Sequence, residues 1–118
     1  MWGMAAQLDD ALIADLAKYF AAQTPTPPQS GGALAVEGQK IYDSGAPADG
    51  VPPCQACHGA HGEGNGVVPR IAGQHADYLK KQLEAFRSTL RENAIMHANT
   101  TNMTDREIEA VVSFLAND

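Results

Sequence analysis

Cys54-Gln55-Ala56-Cys57-His58 sets two thiols three positions apart and an imidazole directly after the second. Each thiol can add across one vinyl group of a porphyrin, and the adjoining imidazole can then turn onto the iron from the same side. That spacing is the attachment site of a c-type haem. Three other chemistries use similar residues. A dithiol redox site opens a helix after a β-strand, but Val51-Pro52-Pro53 precedes Cys54 and no strand-like run lies nearby. A zinc site could recruit Cys54, Cys57 and a histidine such as His61. Structural zinc takes four ligands, usually as two separated pairs, and no second Cys/His pair stands at that spacing. Two inert thiols beside a chance histidine complete the alternatives; the chain has 2 cysteines and both fall in the motif, which argues against coincidence.

Porphyrin nitrogens fill four iron positions and His58 a fifth. For the sixth the sequence offers Met96, Met103, His97, His61 and His75. His61, so soon after His58, would have to cross to the opposite face of the ring. Met103 stands just before the Thr104 helix cap, where an apolar side chain normally packs as a hydrophobic staple. His75 reads as a polar residue at a helix start. Met96 leads, His97 is the neighbouring alternative, and an iron with no sixth protein ligand is the third possibility.

Helices must hold these groups. Ala33 to about Asp43 reads as a short helix, in which Gly38, costly in a helix interior, would admit another helix closely, with Tyr42 one turn on. From roughly His75 to Arg91, Leu79, Leu83, Phe86 and Leu90 recur at helical spacing. Thr104 caps a terminal helix, Glu107 completes a capping box, and Ile108, Val111, Val112 and Leu115 form its apolar stripe. Gly59 to Gly73, with Gly62, Gly64, Gly66 and Pro69, reads as a loop. Its glycines could pass for a phosphate cradle, but no strand precedes them and no P-loop lysine follows. Close passage of backbone beside a porphyrin is the better expectation.

The N-terminal segment resembles the C-terminal one. In one register Leu8 matches Met103, Asp10 matches Asp105, Ile13 matches Ile108, Leu16 matches Val111, Tyr19 matches Phe114 and Phe20 matches Leu115. Met96 falls on Met1, so methionine recurs at that position, provided Met1 is native. Asp9 caps the first copy and Leu12, Ile13, Leu16 and Phe20 form its stripe. Residues 24–32, Thr-Pro-Thr-Pro-Pro-Gln-Ser-Gly-Gly, read as a linker. The expected organisation is a terminal helix left from a preceding domain over 1–23, a Pro/Gly linker over 24–32, and one haem domain over 33–118. The stripe of the first helix needs a surface, so it is expected to pack on the haem domain or exchange between two chains.

The chain has 118 residues and a formal net charge of −6. Its acidic balance argues against nucleic acid and for partners with basic docking patches. No apolar run approaches the roughly 20 residues that span a bilayer. Haem is joined to such motifs outside the bacterial inner membrane, so the expected compartment is the periplasm. The Met1-Trp2-Gly3 start does not read as an export signal, which suggests a mature protein or an excised piece of a larger exported or membrane-attached one.

Taken together, Gly38 and Tyr42, the Cys54 to His58 motif, Pro69-Arg70-Ile71-Ala72-Gly73-Gln74, Tyr78-Leu79-Lys80-Lys81-Gln82-Leu83, Ile95-Met96 and the capped last helix resemble the class I cytochromes c. The Pro-Arg and Tyr-Leu runs point to the C-terminal half of dihaem cytochrome c4 in particular. The resemblance implies an all-α fold, three to four helices around one covalent haem, with an extra N-terminal helix ahead of it. It implies thioether bonds at Cys54 and Cys57, axial ligands His58 and Met96, a Pro69 carbonyl accepting from the His58 Nδ1–H, and Arg70 near the haem propionates. Gly38 and Tyr42 would mark the crossing of first and last helices, against Phe114 or Leu115. The implied activity is single-electron transfer, by a carrier and not an enzyme. An open sixth position for gas or peroxide, or an electron-entry module of a larger enzyme, are the alternatives. The family's usual Gly-x-Arg after the amphipathic helix appears here as Ser88-Thr89-Leu90-Arg91, and a first haem motif is absent from the chain.

Overall fold

The computed structural model describes residues 1–27 and 32–116. The helices are α1 (Trp2–Ala5), α2 (Asp10–Ala21), α3 (Gly32–Ser44), α4 (Gln55–His58), α5 (Ala76–Arg87), α6 (Ala94–Thr100) and α7 (Asp105–Leu115). A 3-10 turn, Pro47–Asp49, is closed by the Ala46–Val51 bridge. Among the described residues the β contacts are isolated bridges, so the fold is all-α as expected. The linker residues 28–31 and the last two positions lie outside the described residues.

The crossing of α3 and α7 organises the domain. Gly38 lies directly against the Ala110 carbonyl, and Phe114 packs its ring on Tyr42 with centroids 5.4 Å apart. Phe114 is thus the partner expected for Tyr42, while the close contact of Gly38 falls on Ala110, a residue its sequence context did not mark. Ile41 and Tyr42 from α3, Leu79 from α5, and Ile108, Val111, Val112 and Leu115 from α7 form one buried cluster. Each aliphatic side chain so buried contributes about 1.5–3 kcal/mol. The capping box forms: Thr104 Oγ1 accepts the Glu107 N–H at 3.2 Å, and the Glu107 carboxylate accepts the Thr104 N–H at 2.7 Å.

Two expectations need correction. The third predicted helix ends at Arg87, not Arg91, and Leu90 is 86% exposed instead of continuing the stripe. The cause is Thr89, which takes φ +63°. A β-branched residue there is strained. Thr89→Gly is therefore expected to stabilise the protein by about 1 kcal/mol, the relief of left-handed strain exceeding the added freedom of the unfolded chain. Chemical denaturation would check it; an unchanged or lower midpoint would contradict it.

The second correction concerns α2. Asp9 caps it as read, accepting the Leu12 N–H at 2.8 Å. Its stripe, however, does not rest on the rest of the described chain: every residue from 1 to 27 is exposed, Phe20 by 67%.

Candidate haem site

Helix α3 positions the motif through two bonds. The Tyr42 hydroxyl donates to the Gly59 carbonyl, directly after His58, and Gln55 Nε2 donates to the Asp43 carbonyl at 2.6 Å. Tyr42 is completely buried, and burial pushes its phenol up to about 12, so it remains a donor throughout the neutral range. Cys54 and Cys57 are not joined to each other. Cys54 packs against the core and burial raises its thiol to about 11, whereas Cys57 is exposed.

His58 is buried at 8% exposure, and its Nδ1 lies 3.0 Å from the Pro69 carbonyl. A carbonyl can only accept, so Nδ1 carries the hydrogen and donates. In the neutral ring this leaves a lone pair on Nε2, the atom an iron would take. The loop is folded to supply that carbonyl: the Gly64 N–H donates to the His58 carbonyl at 2.8 Å, and Ile71 N–H to Gly62 at 2.8 Å. Gly64 has φ +81°, and a Cβ there would sit 2.6 Å from both Val68 O and Arg70 N. The close approach that this glycine permits is of the loop to itself.

Arg70 follows Pro69 and faces carbonyls. Its Nε donates to Ala72 O at 3.1 Å and its Nη2 to Thr26 O at 3.3 Å. Thr26 lies over Gly73, where any Cβ would collide with its carbonyl oxygen. The Gly73 N–H in turn donates to Leu115 O at 2.8 Å. Arg70 therefore fastens the start of the linker segment to the domain, a role its sequence context did not suggest.

Met96 is half-buried on α6, a helix absent from those expected from the sequence pattern. The signal available was Asn93, a good N-cap whose side chain accepts the Met96 N–H at 2.9 Å. Thr100 Oγ1 donates to the Met96 carbonyl at 2.8 Å. Met103, by contrast, is 5% exposed within the main apolar cluster. Among the described residues no three His, Cys, Asp or Glu side chains gather where they could hold a metal ion, so the zinc alternative gains nothing.

These residues fit a covalent haem: two unjoined thiols three positions apart, an imidazole turned by Pro69 so that Nε2 is free, and a thioether on a separately braced helix. Fold and site together define a helical domain of the c-type haem proteins. The family model described as Cytochrome c matches residues 35–117, and the chain belongs to that family. Within it, the chain is 42% identical to cytochrome c4 of Thiocapsa roseopersicina, over 98% of this chain and 63% of that one. It is 34% identical to a "Thiosulfate dehydrogenase electron acceptor" of Thiomonas intermedia, over 98% and 57%. The solved cytochrome c4 of Acidithiobacillus ferrooxidans superposes with TM-score 0.86 at 39% identity, over 98% of this chain and 68% of that one. The chain thus spans less than two thirds of the length of each of these two curated relatives.

Proposed function

We propose that this chain carries single electrons on one haem c, held by Cys54 and Cys57, with His58 and Met96 as axial ligands. The observation that carries the reading is the Nδ1–H of His58 committed to Pro69 O at 3.0 Å. It orients one ring nitrogen for metal within a motif whose thiols are both free. Bound haem supplies a reversible ferric/ferrous couple, and a thioether ligand favours the ferrous state. The protein's own work is to fix the imidazole, brace the methionine and exclude a vacant site where substrate could bind. Two of the five N–H donors of Arg70 are used on carbonyls, leaving Nη1 for a haem carboxylate.

The net charge of −6 favours redox partners with basic docking patches, meeting in small, transient contacts. The Thiomonas relative is named for accepting electrons from an enzyme; this chain would act likewise as a carrier, in the periplasm. No helix among the described residues is long and apolar enough to cross a membrane. Residues 33–118 are the haem domain, residues 24–32 the linker, and residues 1–23 the last helix of a preceding domain of the same kind, because α2 repeats the cap and stripe of α7. Outside such a domain, the exposed stripe would drive self-association.

An optical redox titration tests the function. The holoprotein should titrate as a single one-electron couple between two low-spin species. Rapid binding of carbon monoxide to a five-coordinate ferrous form would overturn the carrier reading in favour of a gas-binding one.

A further inference from the structure

Helix α6 has seven residues, too few to persist without tertiary support. Both backbone groups of Met96 are tied by side chains of the same helix and its cap, Asn93 and Thr100. Those bonds shape α6 but do not fix it to anything. Fixing falls to the next residue: His97 Nδ1 lies 2.9 Å from the carbonyl of Phe86, in the last turn of α5. A carbonyl only accepts, so His97 Nδ1 carries a hydrogen and donates. The acceptor is a helix-end carbonyl of α5, which stops at Arg87, and it accepts the Thr89 N–H at 3.3 Å as well, so the His97 donor uses its second lone pair. Phe86 is buried at 8% exposure and His97 is half-buried, so the bond sits where loss of the donor is felt. Successive residues of an α-helix point about 100° apart. With the His97 ring aimed at α5, Met96 is aimed elsewhere.

We propose that His97 is a positioning residue: by donating to the Phe86 carbonyl it pins α6 to α5 and holds the Met96 thioether in place for the iron, without being a ligand itself. The inference rests on Met96 being the sixth ligand, and the test separates the two.

The experiment uses ferric holoprotein and added imidazole, which can bind only when the sixth position is vacated. His97→Ala should raise the apparent imidazole affinity roughly tenfold, the scale of one partly buried hydrogen bond. His97→Asn, whose amide nitrogen can stand where Nδ1 stood, should return it to the unmutated value. If His97→Ala does not fold by circular dichroism, His97→Leu keeps the bulk without the donor and takes its place. Unchanged imidazole affinity in the donor-less variant, with the sulfur-to-ferric charge-transfer band lost only in Met96→Ala, overturns the positioning role and leaves the ligand assignment intact. A native spectrum in Met96→Ala, with axial ligation lost in His97→Ala, overturns both.

Discussion

Met96→Ala is expected to abolish the sulfur-to-ferric charge-transfer band and lower the reduction potential, while Met103→Ala leaves both in place. The two methionines lie in different surroundings. Met103 is 5% exposed within the cluster built on Ile41, Tyr42 and α7, so its truncation leaves a cavity in packed core. That should cost about 2–5 kcal/mol of stability with no change in ligation. Met96 is half-buried on a braced helix, and as the proposed sixth ligand its sulfur would be the soft donor that favours ferrous iron. Absorption spectra and urea unfolding of the two variants make the comparison. Loss of the band in Met103→Ala and its retention in Met96→Ala would reverse the assignment.

Gly38→Ala should be the most damaging single methyl addition to the helix crossing. In an isolated helix the change would help by about 1 kcal/mol. Here the new Cβ would land inside the van der Waals shell of the Ala110 carbonyl, and at 3.0 Å from Phe114 Cβ. The first obstacle is backbone, which cannot rotate aside, so α3 and α7 must separate. Separation loosens Phe114 from Tyr42, and Tyr42 holds the Gly59 carbonyl next to His58. We expect a net loss of about 3 kcal/mol or more, which in a domain of this size lowers Tm by more than about 12 °C. Thermal unfolding followed by helical ellipticity measures it. A Tm equal to or above that of the unmutated protein would contradict the crossing.

Side-chain chemistry that acts locally was legible in the sequence. Asp9, Thr104 and Glu107 cap the helices they were assigned, because a cap depends on residues within one turn. The Cys54 to His58 motif and the Pro69 acceptor were legible through spacing and family pattern. What escaped depends on contacts distant in sequence. Helix α6 is rich in residues of modest helical propensity, His97, Asn99 and Thr100 among them, and owes its place to bonds that include one from His97 to Phe86. Leu90 continues a helical period that the backbone at Thr89 has already left. Ala110 opposite Gly38 carries no mark in its side chain, since the contact is made by its carbonyl.

The bond from Arg70 to Thr26 also sets a length. Between Ala21, where α2 ends, and the pinned Thr26 carbonyl run Ala22, Gln23, Thr24 and Pro25. Five steps of roughly 3.5 Å each separate Ala21 from Thr26, so an extended segment reaches no farther than about 18 Å. A surface that packed on the C-terminal end of α2 would therefore be leashed to within about 18 Å of Thr26, at an effective concentration that free diffusion of two separate molecules would not reach. Such an encounter would be intramolecular, with its geometry set by one arginine whose neighbour in the chain, Pro69, orients the His58 ring.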